Sequence, residues 1–258
     1  MSTDATPALD PQTVLAAAKA LSGSTGFWFT RRCLMFELCR RRVWPDPGAN
    51  LAACEQNFAA ALASYEQTSG QLERLVRPEQ AIAGVGPADL EAHDLPADLF
   101  DYAIGRVALF QRMDLCLMLI ANGFHREIEV ALTVPPEFPS HVWGRIHAQL
   151  NTGLRTTFLA IHDYSPASGP WLASIDEQLG GHEAAEVFPI GLTTPWAYRL
   201  RIPVRGPQAS PGAPSAAAPT DAEPRAGSYA LLEELSPLRA MRWIYGHVAR
   251  GAEDVGFG

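Results

Sequence analysis

The chain of 258 residues lacks any apolar run approaching the 18 or more residues that a membrane helix needs. Its first ten residues, MSTDATPALD, carry neither the basic patch nor the apolar stretch of an export signal, and both absences point to the cytoplasm. Cysteine is scarce. Cys33, Cys39, Cys54 and Cys116 show no C-x-x-C spacing and fall in segments that read as helical, which suits buried reduced thiols rather than a disulfide frame or a zinc site. His125, His141 and His147 have no H-x-x-x-H spacing and form no metal motif. The patterns G-x-x-x-x-G-K-[ST], G-x-G-x-x-G and G-x-S-x-G are all missing, so nucleotide hydrolysis and esterase chemistry have no support. Positive charge is also in deficit: 20 basic against 28 acidic residues argue against a protein that coats nucleic acid non-specifically.

What is present is an ordinary globular composition, 47% hydrophobic and 19% charged, enough for one large domain or two small ones. One segment breaks the acidic average. Arg31, Arg32, Arg40, Arg41 and Arg42 face only Glu37 between residues 30 and 42, a net of +4, so the remainder carries -12 of the overall -8. Arg31, Arg32, Arg41 and Arg42 are therefore the candidate contacts for a nucleic acid or another anionic partner, although arginines near a helix C-terminus also suit the helix dipole.

The first part of the chain, residues 10–77, reads as a helical, winged-helix-like module. Asp10-Pro11 opens a short helix that Ser22-Gly23 ends, Thr30 caps a second through about Val43, and Asn50 caps a third. In the third, Leu51, Cys54, Phe58, Leu62 and Tyr65 recur at steps of three or four, which places one apolar stripe on a helix ending near Ser69-Gly70. Residues 78–98 are rich in Ala, Gly, Pro and Asp and read as a linker.

Residues 99–205 change rhythm. Apolar runs at 105–110, 128–134, 156–161 and 186–190 alternate with helical stretches at 114–121, 140–150 and from Pro170 to Gly180. Near-continuous apolar strands between helices are the signature of a Rossmann-like α/β domain, a parallel sheet with helices on both faces. Residues 206–228 are too poor in large apolar groups to fold and read as a flexible tether. The tether delivers an amphipathic segment at 229–250, bent at Ser236-Pro237. Its Leu231, Leu235, Leu238, Met241 and Ile244 are candidates either to pack back on the domain or to meet a protein partner or a second copy.

Ligands of parallel sheets sit beyond the carboxyl ends of the strands. Asp163 follows the strand TTFLAI and is the candidate metal ligand, with His162 beside it. A lone carboxylate holds magnesium poorly, and an Asp that caps the next turn accounts for it equally well.

The order of these segments resembles the family of the topoisomerase VI A-subunit and the meiotic double-strand-break transesterases, which join a winged helix to a Toprim domain. Val107-Ala108-Leu109-Phe110-Gln111 stands where the family's first strand ends in a metal-binding Glu. Glu137-Phe138-Pro139 with Arg145 stands at its second motif, and Asp163-Tyr164-Ser165-Pro166 with Gly169 where it has D-x-D-P-x-G. Thr30-Arg31-Arg32-Cys33-Leu34-Met35-Phe36 aligns with a winged-helix motif that ends in the nucleophilic Tyr. The resemblance therefore implies a Toprim-like domain without its chemistry: Phe36 has no oxygen to attack a phosphodiester, Gln111 replaces the Glu and Ser165 the second Asp. The expectation is a pseudoenzyme without a required cofactor that binds DNA or joins a protein complex. The alternatives are a protein-interaction scaffold and, third, a metal-assisted phosphoesterase that would use Asp163 and His162 with a magnesium ion.

Overall fold

In a computed structural model the described residues are 9–78, 104–135, 140–206 and 227–253. Most of the expected linker and tether, and the motif residues 137–139, lie outside them. Helix α1 (Pro11–Ser22) starts where Asp10 accepts the Thr13 amide at 2.8 Å and Pro11 supplies a helical φ. Helix α2 (Arg31–Arg40) is capped by Thr30, whose Oγ1 accepts the Cys33 amide at 3.1 Å. Asn50 caps α3 (Leu51–Ser69), and Gly70, at φ 86°, ends it in a conformation that favours glycine. Between α2 and α3 the Trp44 and Phe58 rings meet edge to face at 5.1 Å, which fixes the Pro-rich turn.

Strand β1 (Arg106–Phe110) is followed by α4 (Met113–Ala121) and α5 (Phe124–Ile128), then β2 (Ala131–Thr133), α6 (Ser140–Asn151), β3 (Thr156–His162), α7 (Ser168–Gln178), β4 (Ala185–Gly191) and α8 (Thr194–Leu200). All strands pair in parallel in the order β2-β1-β3-β4, a Rossmann-like sheet. Strand side chains alternate between faces. Val107, Leu109, Phe158 and Ala160 pack with Trp143 and Ile146 of α6 and Ile175 of α7. Ala108, Phe110, Leu159 and Ile161 face a larger core that takes in α4 and side chains of α1 to α3. Apolar contact on both faces is why these strands read as continuous hydrophobic runs.

The C-terminal part departs from the expected amphipathic segment. Residues 229–231 run extended after a turn at Gly227, and bridges pair Tyr164 with Ala230 and Arg205 with Tyr229. A single 3-10 turn, Leu232–Glu234, follows, and α9 (Pro237–Glu253) begins only at the proline. Proline fits the first helical turn because its missing N–H has no intrahelical partner there. Leu231, Leu235, Met241 and Ile244 are buried in the chain's own core, while Leu238 is 36% exposed. The expected strand at 128–134 is shorter than its composition suggests, because α5 extends to Ile128 and Glu129 then takes a left-handed φ of 51°. Helix α8 lies where no element is expected from periodicity, and its start is marked by Thr193, which caps it ahead of a proline in the first turn.

Candidate functional site

Strand β1 leads to β2 on one side, while β3 lies on its other side. The chain changes direction at this point, and a crevice opens between the carboxyl ends of β1 and β3. A cavity of about 380 Å³ lies there, lined by Arg32, Leu51, Gln111, Arg112, Asp163, Ser165, Pro166 and Ala167 together with Gly227, Ser228, Tyr229 and Leu231. Its size is that of a small-molecule site.

The positions singled out by sequence meet here. Gln111 immediately follows β1, and its Oε1 lies 3.4 Å from Ser168 Oγ. That hydroxyl donates to the Asp163 carbonyl at 2.7 Å and lies 3.0 Å from Ser165 Oγ. Gln111, Asp163 and Ser165 thus surround one hydroxyl. Asp163 itself is buried, and its Oδ1 accepts the Leu232 amide at 2.7 Å. Burial raises its pKa to about 6, against the opposing pull of that amide and of Arg112.

His162 does not join Asp163. Adjacent residues at a strand end point to opposite faces, and the His162 ring turns toward Trp171, with Nδ1 2.8 Å from the Asp163 backbone oxygen. Burial lowers its pKa. The ring fits because residue 191 is glycine: a Cβ there would lie 1.9 Å from His162 Cε1. Among the described residues, no group of three or more His, Cys, Asp or Glu side chains is placed to hold a metal ion.

Sequence reasoning missed the most charged element of the site, Glu233. Its side chain is fully buried on the 3-10 turn. Oε1 accepts from Thr30 Oγ1 at 2.5 Å, while Oε2 lies 3.0 Å from Arg112 Nε and 3.4 Å from Arg32 Nη1. Arg32 also pairs with Glu55 through Nε. Burial works against the Arg32 charge, but Glu233 and Glu55 outweigh it and hold its pKa above the ordinary value. Thr30 starts α2, so the carboxylate lies at that helix's N-terminus, where the dipole favours negative charge. Asp114, in the first turn of α4, has its pKa raised by burial and then by Glu233. A signal was available: two adjacent acids, Glu233 and Glu234, sit among leucines, and buried carboxylates require partners.

Glu234 reaches the opposite side. Its Oε2 is 2.5 Å from Arg205 Nη1, and Arg205 also grips Asp46 through two nitrogens while its guanidinium lies 5.1 Å above the Phe36 ring centre. Phe36, the residue aligned with the nucleophile of the resembled family, is only 1% exposed.

The other sequence candidates diverge. Arg31, Arg41 and Arg42 are exposed, Arg41 pairs with Glu37, and Arg42 stands beyond the C-terminal end of α2 at φ 58°. Ten residues of helix hold Arg41 about 15 Å from Arg31, so the arginines do not form one patch with Arg32. Arg145 is exposed on α6. All four cysteines are free thiols, and burial pushes Cys33 up to about 12. No helix among the described residues is long and apolar enough to cross a membrane. No family model, no curated protein and no solved structure matches the chain.

Proposed function

We propose that this protein is a non-catalytic binding protein whose ligand is a small anionic molecule seated between the carboxyl ends of β1 and β3. The observation that carries the reading is the pairing of Arg32 and Arg112 at the switch point of the sheet, beside a cavity of small-molecule size. The Gln111 amide and Ser165 hydroxyl add neutral hydrogen-bonding groups. The same place lacks what chemistry would need. The carboxylates implied by the resemblance to the topoisomerase VI A-subunit family are Gln111 and Ser165 in this chain. Asp163 is engaged by a backbone amide, and the position of the nucleophile holds a buried phenyl ring. Binding without turnover accounts for the three replacements, Phe36, Gln111 and Ser165, and for the engagement of Asp163.

A DNA ligand is supported less, because Arg31, Arg32, Arg41 and Arg42 do not form one patch and Arg41 is held by Glu37. A scaffold role loses its proposed contacts, since four of the five aliphatic side chains assigned to a partner fill the chain's own core. Four free thiols suit the reducing cytoplasm, which we retain as its place.

Calorimetric titration with inorganic phosphate, alongside a 20-base-pair DNA duplex, tests the reading. Saturable phosphate binding that Arg112→Gln removes supports it. Binding of DNA alone, unaffected by Arg112→Gln, would move the function to another surface.

A further inference from the structure

Resting on that reading, we propose that the ligand's charged group is an oxyanion, a phosphate or a carboxylate, that takes over the contacts of Glu233. The strap at 227–235 is then the site's own resident anion and the cover that a ligand lifts.

Three observations converge. The Glu233 carboxylate occupies a complete oxyanion receptor: one hydroxyl donor, Thr30, two guanidinium groups, Arg32 and Arg112, and the N-terminus of a ten-residue helix. Those same guanidinium groups also line the 380 Å³ cavity, so a molecule in the cavity meets the outer side of the groups that hold Glu233. Finally, Arg112 Nε is buried and lies 3.0 Å from Glu233 Oε2 without making a hydrogen bond, so this donor is open to an anion that offers it better geometry.

Charge makes the exchange selective. Lifting Glu233 without a replacement leaves the Thr30 hydroxyl and Arg32 Nη1 without the carboxylate they share, so the strap stays closed in the absence of ligand. A neutral ligand cannot compensate that loss. An oxyanion restores both the charge and the hydrogen bonds, since carboxylate and phosphate oxygens accept from the same donors.

The strap is built to give locally. Its main-chain ties are two isolated bridges, the Leu232 amide on Asp163 and the Glu234 carbonyl, which accepts from Arg40 Nη1 at 2.8 Å, not a continuous ladder. Leu235 and α9 remain fixed in the core beyond it, and Glu234 stays on Arg205 as the anchor at the far side. The movement required is confined to the turn at 232–234.

The test uses the full chain and its Glu233→Gln variant, titrated with inorganic phosphate and separately with succinate. Removing the resident charge is expected to tighten the preferred anion at least tenfold, and the stronger of the two arms identifies phosphate or carboxylate. Equal affinity in both proteins, abolished by Arg112→Gln, overturns the exchange while leaving the site in place. No binding of either anion to either protein overturns the site as well. Hydrogen exchange of the unaltered chain keeps the proposal falsifiable if the variant folds poorly. Saturating anion should accelerate exchange of the Leu232 amide, which Asp163 now protects, and slowed or unchanged exchange there contradicts displacement.

Discussion

Thr30 and Glu233 lie 203 positions apart in sequence, yet the threonine hydroxyl donates to the glutamate carboxylate at 2.5 Å inside the protein. The threonine also caps α2 through the Cys33 amide, so one hydroxyl ties the start of a helix to the C-terminal strap. Thr30→Val should therefore lose both a cap and a hydrogen bond to a charged group, roughly 2–4 kcal/mol together. Urea unfolding would measure it. Thr30→Ser, which keeps the hydroxyl, is expected to stay within about 1 kcal/mol of the natural chain. Equal losses from the two substitutions would show that the methyl group matters, not the hydrogen bond.

Asp163 carries a pH signature. Burial raises its pKa from 3.8 to about 6, so between those values the folded chain holds the proton more tightly than the unfolded chain does. Ionised Asp163 thus disfavours the fold above pH 6, and the penalty fades as the pH falls toward 4. Asp163→Asn keeps an oxygen for the Leu232 amide without the charge. The variant should exceed the natural chain in stability at pH 7 by on the order of 2 kcal/mol, with the advantage gone near pH 4. An advantage that is constant from pH 4 to 7 would refute the assignment.

Truncation after Arg205 removes Leu231, Leu232, Leu235, Ile244 and Val248, all at most 3% exposed. Each contributes about 1.5–3 kcal/mol on burial, so their sum rivals the entire stability of a typical domain, about 5–15 kcal/mol. The truncated chain should show no cooperative thermal transition by circular dichroism. A sharp transition close to that of the full chain would mean that the C-terminal part is an appendage.

The sheet and the first three helix caps were legible because they rest on local signals: period, apolar runs, and Asp10, Thr30 and Asn50 ahead of each helix. The site was legible only in part. Asp163 could be placed because the end of its strand is visible in the sequence, whereas Gln111 and Ser165 stood out only through the family resemblance. Glu233 could not, since its partners come from α2 and the end of β1, far away along the chain, and no local periodicity encodes such a pairing. Likewise the leucines at 231 and 235 announce burial without saying against what.

Strand cleavage should be absent. With magnesium or manganese the protein is expected to leave supercoiled plasmid intact on an agarose gel. Phe36→Tyr should not change this, because residue 36 lies buried beneath Arg205 and two of the three positions where the resemblance implies metal-binding carboxylates hold Gln111 and Ser165. Nicking that depends on Asp163 and on added metal would overturn the non-catalytic reading.

The most direct test of the central claim is an NMR titration of the isotope-labelled full chain with inorganic phosphate and with succinate. At least one anion should shift the amides of Gln111, Arg112, Ser165 and Leu232 together, along one saturable curve, with Arg41 and Arg42 unmoved. Shifts confined to residues 40–42, or none at any residue lining the cavity, would contradict an anion site between β1 and β3.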